Sequence, residues 1–311
     1  MKRTLIIAAI ATLATGAAWA QSSVTLYGRL NLTMERMDNR GVKTSVLNNN
    51  ASRLGFKGVE DLGGGLKAGF VLEAGLSPDT GATGSTFFGR QSEVNLTGGF
   101  GMLRLGNFFS EAYFATSDYI GMHNHETGTS SDALYAYIGR NINKIAYRTP
   151  EFVKGLTLEG AVSAVEGVPG RARSYDFAAN YGAGPLHIGL GYEKNGIAKQ
   201  AALSGLYEFG SFILGGLVQR DTDAYGPGKR SNFRVSAAYL LGASEFHLNL
   251  GKAGDYSKLA NSGASQATLG YNYNLSKRTK VYSYITKVNA EAATPYASDF
   301  SSLALGVRHN F

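Results

Sequence analysis

The last nine residues alternate. In Leu303-Ala304-Leu305-Gly306-Val307-Arg308-His309-Asn310-Phe311 the odd positions Leu303, Leu305, Val307 and Phe311 are apolar, and the even positions are small, polar or charged. Successive side chains of a β-strand point to opposite faces, so this run has one greasy face and one wet face. The same period appears near the other end, where Val24, Leu26, Leu30 and Leu32 alternate with Thr25, Tyr27, Arg29 and Asn31. It recurs in Ala267–Leu275, Ser174–Tyr181 and Leu186–Tyr192. A helix would repeat its apolar residues every 3.6 positions, which these segments do not.

Composition narrows the class. Lys2-Arg3, the apolar stretch Leu5–Leu13 and Ala18-Trp19-Ala20 form a secretory leader, residues 1–20, with cleavage after Ala20. The alternative, a membrane anchor, needs a longer apolar run. Removing Lys2 and Arg3 lowers the formal charge from +7 to +5. Beyond the leader the longest greasy stretch is Phe212–Val218, seven residues, too short for a helical span. There is no cysteine, which argues against a small disulfide-stapled secreted domain. The basic residues are scattered singly along the alternating runs, so a nucleic-acid partner is not expected. Tyr and Phe together number 34, which suits strands and interfacial girdles.

Short glycine-rich or polar breaks punctuate the chain at Asp61–Gly65, Gly98–Gly101, Thr149–Gly155, Gly182–Pro185, Phe209–Ser211, Gly242–Ser244 and Leu275–Arg278. Most lie roughly 30 residues apart, the length of two membrane strands and a loop. Counting runs gives about sixteen strands in a single domain, residues 21–311. A water-soluble sandwich or barrel would alternate as well, with its apolar face inward. The uniform strand length, the wide tyrosine-rich apolar face and the terminal aromatic favour the other arrangement: a transmembrane antiparallel β-barrel with lipid outside and water inside. One interval is too long for this scheme. Residues 109–139 lack the two-residue period, yet carry Phe, Tyr, Ile, Leu and Met, so a long structured loop is expected there.

Parity then orients the charges. With Val24, Leu26 and Leu30 outward, Arg29 faces the lumen; with Leu54 and Phe56 outward, Arg53 and Lys57 do; with Leu103 and Leu105 outward, Arg104 does. A cation facing mid-membrane hydrocarbon would cost about 2–4 kcal/mol, which supports the same assignment. Arg90 is ambiguous, because inward placement by simple alternation sends Glu93 outward; a bulge would resolve the conflict. The long interval carries Glu111, Asp118, Glu126 and Asp132 and no Lys or Arg between Phe109 and Gly139. These acids either line a pore or simply solvate an external loop. His123 and His125 are too few for a metal site, so no metal or other cofactor is expected. No G-x-S-x-G or H-E-x-x-H motif points to a hydrolase, and no enzymatic activity is expected.

The motifs resemble a known family. Ser22–Arg29, Ser52–Lys67, Phe88-Gly-Arg-Gln91, Leu103–Gly106 and Gly306–Phe311 resemble strands one to five and the closing strand of the general diffusion porins of Gram-negative bacteria, in the style of the β-proteobacterial porins. The resemblance is specific at both ends and weak over roughly 151–263. It implies a sixteen-stranded homotrimeric channel in the outer membrane, bathed in lipid and lipopolysaccharide. Its third outer loop folds inward, and the loop acids face a basic wall that includes Arg90. It also implies that Phe311 is the signal read by the outer-membrane assembly machinery. The trimer surface would be the first and last strands and the short loop Leu76–Ser85. The function implied is passive diffusion of small hydrophilic solutes and ions, with mild anion preference from the basic wall opposed by the acidic loop. The alternative is a substrate-specific channel with a saturable site, for which Tyr113, Tyr119, Tyr135 and Tyr137 offer an aromatic surface.

Overall fold

The computed structural model describes residues 23–118, 120–121, 133–168, 170 and 172–311. The expected leader lies outside them. Sixteen wall strands follow one another. They are β1 (Ser23–Asn39), β2 (Val42–Asn49 and Arg53–Gly63), β3 (Leu66–Ser77), β4 (Gln91–Gly98), β5 (Gly101–Asn107), β6 (Lys144–Arg148), β7 (Leu156–Ser163) and β8 (Ser174–Ala183). The second half comprises β9 (Leu186–Asn195), β10 (Ala198–Phe209), β11 (Phe212–Thr222), β12 (Lys229–Leu241), β13 (Ser244–Ala253), β14 (Ala264–Asn274), β15 (Thr279–Ala290) and β16 (Phe300–Asn310). Each pairs antiparallel with the next, and β16 returns to pair with β1 from Arg29↔Asn310 to Asn39↔Phe300. Among the described residues the wall sheet is therefore closed and leaves no wall strand with a free edge for another chain to pair with.

β2 is one wall strand with a kink. Both of its halves pair with β1, and Ala51 between them sits at φ +52°. The kink is held by side chains: Asn31 N donates to Ser52 Oγ (2.9 Å) and Asn50 Nδ2 to Thr33 Oγ1 (2.8 Å).

All seven breaks read from the sequence are hairpin connections on one rim. Three are two-residue turns whose first central residue is a glycine with positive φ: Gly184 (+57°), Gly210 (+58°) and Gly242 (+59°). That is where a type II′ hairpin requires a residue without a Cβ penalty. The opposite rim carries the longer connections, together with tight two-residue turns at Arg40-Gly41 and Gly196-Ile197.

The burial pattern is that of a soluble barrel turned inside out. On β1, Val24 is 68 % exposed and Met34 64 %, whereas Arg29, Asn31, Thr33 and Glu35 are buried. Polar side chains line the interior and apolar ones coat the outside, as the lipid-facing reading requires. At the short-turn rim the outward aromatics form a chain, Tyr207–Phe209–Phe212–Tyr239–Phe246–Tyr271, with neighbouring ring centroids 4.8–6.3 Å apart. Phe311 closes the chain onto the first strand. Its N–H donates to Gly28 O and its carbonyl accepts from Gly28 N, both at 3.1 Å, and its ring fills the space a side chain at Gly28 would need.

Candidate pore constriction

Two clusters of charge stand on the inner wall. In the first, Glu73 on β3 collects its neighbours. Arg90 Nε donates to Glu73 Oε1 at 2.7 Å, Arg53 Nη1 lies 3.7 Å from the same oxygen, and Tyr27 Oη donates to Oε2 at 3.0 Å. Arg29 is buried beside this group, and its Nη2 donates to the carbonyl of Ala51, the kink residue, at 3.3 Å. Lys57 lies nearer the short-turn rim, with its ammonium 5.3 Å from the centre of the Tyr27 ring.

Arg90 and Glu93 both face inward. Arg90 precedes the strand: β4 begins at Gln91, which pairs with Glu73. Alternation therefore runs from Gln91, bringing Glu93 and Asn95 inward and leaving Val94 53 % exposed on the outside. The expectation that an inward Arg90 sends Glu93 outward is corrected by this bend, which breaks the count one residue before the strand.

The second cluster centres on Arg104. Its guanidinium donates to Glu93 Oε2 at 2.7 Å and to Glu159 Oε1 at 3.1 Å, with its carbon 4.1 Å from the centre of the Phe108 ring. Arg148 Nε donates to Glu159 Oε2 (2.8 Å), and its Nη2 to Glu111 Oε2 (2.5 Å). Asn180 donates to the other oxygen of Glu111 at 3.1 Å. Burial pushes the Glu111 carboxyl above the ordinary carboxylate range, and Arg148 pulls it back.

Glu111 opens the segment between β5 and β6. Ser110 Oγ accepts from Ala112 N (3.2 Å) and caps a single helical turn, Glu111–Tyr113, that runs into a π-turn, Phe114–Asp118. The described parts of this segment bond to inward-facing residues of the second half of the wall. Ser204 Oγ donates to Ala115 O (2.9 Å), and Gln219 exchanges hydrogen bonds with the backbone of Ala136 (2.8 and 3.1 Å). Glu193 accepts from the N–H groups of Ile138 and Gly139, and Arg230 Nη2 donates to Leu134 O (3.1 Å). Gly189 and Gly191 leave room where Ala115 and Ala112 approach β9. Leu206 and Leu217 break the polar lining of the wall because they pack against Ile120 and Tyr135 of the segment. Burial raises the Tyr135 and Tyr137 hydroxyls, which stay protonated and serve as donors.

Between this segment and the first cluster lies a cavity of about 320 Å³. Arg53, Glu73, Arg90 and Gln91 line one side; Phe109, Tyr113, Phe114 and Asp118 line the other. The structure thus brings Asp118 to the same opening as Arg53 and Arg90. It holds Glu111 elsewhere, on Arg148, and locks Arg104 between two carboxylates. Glu126, Asp132, His123, His125 and Tyr119 lie outside the described residues. Among the described residues no group of three His, Cys, Asp or Glu could hold a metal ion. Sequence reasoning missed Glu73, Glu159 and Arg148, and left the orientation of Glu93 open. The cost of a charge in hydrocarbon, smaller for a carboxylate than for a cation, turns any charged residue in mid-strand inward and would have found them.

A closed sixteen-stranded barrel with an apolar coat and a charged, water-accessible lining defines a diffusion channel of the outer-membrane type. The family model described as Gram-negative porin matches residues 7–293, and the chain belongs to that family. It is 34 % identical to outer membrane porin protein 32 of Delftia acidovorans, over 94 % of this chain and 92 % of the relative. It is 26 % identical to an outer membrane porin of Bordetella pertussis across the full length of both chains. The anion-selective porin from Comamonas acidovorans superposes with a TM-score of 0.77 at 29 % identity, covering 94 % of this chain and all of that one. The protein is accordingly an outer-membrane diffusion channel of a Gram-negative bacterium.

Proposed function

We propose that the narrowest point of the channel is the opening between Arg53 and Arg90 on the wall and Asp118 on the long segment. Small hydrophilic solutes and ions pass it by diffusion, with a weak preference for anions. The shared cavity of these three residues carries the reading. Arg29, Arg53, Lys57 and Arg90 outnumber Glu73 and Asp118 on this side of the lumen, which supports the sign of the preference. Opposite charges across a narrow opening act on every passing ion, because at about 6 Å even fully aqueous unit charges interact by roughly 0.7 kcal/mol. The assembly expected is a homotrimer with one such pore in each protomer.

The test is the reversal potential across a salt gradient in a planar bilayer. The native channel should give large steps that grow linearly with salt and arrive in groups of three, with a potential on the anion side. Arg53→Ala with Arg90→Ala should move it to the cation side, by roughly threefold in permeability ratio per charge removed at low salt. Asp118→Asn should move it the other way. An unchanged potential in the arginine variant would overturn the assignment. Conductance that saturates with solute would favour the substrate-specific alternative, with Phe109, Tyr113 and Phe114 as its aromatic surface.

A further inference from the structure

The outer mouth of the lumen holds a carboxylate that no cation answers. Glu35 faces inward from β1, close below the tight turn at Arg40-Gly41 on the long-loop rim, and is 3 % exposed. Its Oε1 accepts from Thr33 Oγ1 at 2.7 Å and from Tyr284 Oη at 2.9 Å, and its Oε2 accepts from Ser302 Oγ at 2.8 Å. Hydroxyls from three adjacent strands thus orient the group and leave its charge uncancelled. Glu93, Glu159, Asp176 and Asp221 are also buried, and each holds a Lys or Arg. No ion pair of the described residues includes Glu35. Glu193 likewise has none, but the N–H groups of Ile138 and Gly139 cover it. Glu35 borders open space instead.

That space is a cavity of about 330 Å³, separate from the one at the constriction. Met37, Val288, Tyr296 and Phe300 give it apolar walls, Asn48 adds an amide, and Ala133 brings the long segment against it. Its volume falls at the lower end of the range of small-molecule sites, about 300–1,000 Å³. The surrounding elements supply no cation to it. The long segment has no Lys or Arg between Phe109 and Gly139. The inward residues of β15 and β16 at this height are uncharged, and the connection between those strands adds two acids, Glu291 and Asp299. Arg230 stacks on Tyr296 with its guanidinium carbon 4.1 Å from the ring centre, but Asp221 already neutralises it at 2.8 Å. Glu35 also keeps room for a further donor, because each carboxylate oxygen accepts about two hydrogen bonds and Oε2 has one.

We infer that this cavity binds a small organic cation, with an ammonium head donating to Glu35 Oε2 and an apolar tail against Met37, Val288 and Phe300. A buried carboxylate is costly without a counter-charge, and an ammonium supplies both the charge and the missing donor. An inorganic cation would meet one carboxylate and an apolar wall, and would lose more hydration than it regained. A tail uses that wall, and an aromatic tail gains further from the rings of Tyr296 and Phe300. The outer mouth thereby selects solutes of the opposite sign to those favoured at Arg53 and Arg90. The site does not depend on which residues form the constriction.

The test is equilibrium binding of radiolabelled 2-phenylethylammonium to the folded channel in lipid nanodiscs, with empty nanodiscs as the blank for partition into lipid. The native protein should bind it saturably, one per protomer. Unlabelled 2-phenylethylammonium should displace the label, and 2-phenylethanol, which has the same shape without the charge, should compete at least tenfold less well. Glu35→Gln should weaken binding by about tenfold or more, and Val288→Trp, which fills the cavity and leaves Glu35 in place, should do the same. Single-channel steps from the same preparations show that each variant is folded. Equal competition by 2-phenylethanol, or no saturable binding to the native protein, would overturn the inference whatever the variants do. Full affinity in a conducting Glu35→Gln channel would overturn it as well.

Discussion

Arg104→Met should lower the stability of the barrel by about 3–5 kcal/mol, the usual cost of leaving buried charge without its partner. Arg104 is 8 % exposed and stands between two carboxylates on different strands, Glu93 on β4 (7 %) and Glu159 on β7 (2 %). Methionine matches the length of the side chain and keeps the contact with the Phe108 ring. What it removes is the set of donors: Glu93 loses its 2.7 Å partner, and Glu159 keeps only Arg148. Arg148 must then serve Glu159 and Glu111 alone, so two carboxylates share one guanidinium while Glu93 loses its ion pair. Unfolding of the purified barrel in detergent, followed by the shift in its electrophoretic migration on heating, gives the change in midpoint.

The triple variant carrying Glu93→Gln and Glu159→Gln beside Arg104→Met separates charge from shape. It removes two carboxylates along with the cation and should recover most of the loss. If Arg104→Met costs less than about 1 kcal/mol, or if the triple variant is no better than the single one, the cluster is not held by its charges.

The same cluster shows where sequence reading succeeds and where it stops. The sixteen strands and their seven turns were legible because two strong local signals coincide: a two-residue period and glycine at the turns. The inward arginines were legible because parity and the cost of a charge in lipid agree. The acidic partners were missed for a different reason. Glu73 and Glu159 lie on strands whose apolar residues are interrupted by glycine and alanine, so the stripe is faint. The orientation of Glu93 stayed open because alternation counted from Arg90 sends it outward, and only the backbone reveals that β4 starts one residue later. Glu111 illustrates the limit set by the loop. Its charge is plain in the sequence, but its partner Arg148 lies 37 residues away, and only the fold of the intervening segment brings the two together.

The second large effect is expected at Gly189, which has no charge at all. A Cβ there would overlap the carbonyl oxygen of Ala115 and lie 2.9 Å from Ser204 Oγ. At Gly191, one inward position along, a Cβ would lie 2.7 Å from Ala112 O. Something must shift to admit a side chain. β9 is paired along its whole length to β8 and β10, whereas the helical turn at Glu111–Tyr113 and the π-turn after it rest on the wall through a few side-chain bonds. The turn therefore gives way, and with β9 behind it the only free direction is toward the lumen axis. Gly189→Val should break the Ser204–Ala115 hydrogen bond, cost about 1–3 kcal/mol through overpacking, and move Asp118 toward Arg53 and Arg90. Single-channel conductance should fall by roughly a factor of two, because the opening is set by that separation. Gly205→Val, on the lipid-facing side of β10 where the nearest atom is 3.8 Å away, should leave conductance as it was. Unchanged conductance in a folded Gly189→Val channel would mean that the segment between β5 and β6 does not set the width of the pore. A rise would mean that the wall expels the segment instead of pressing it inward.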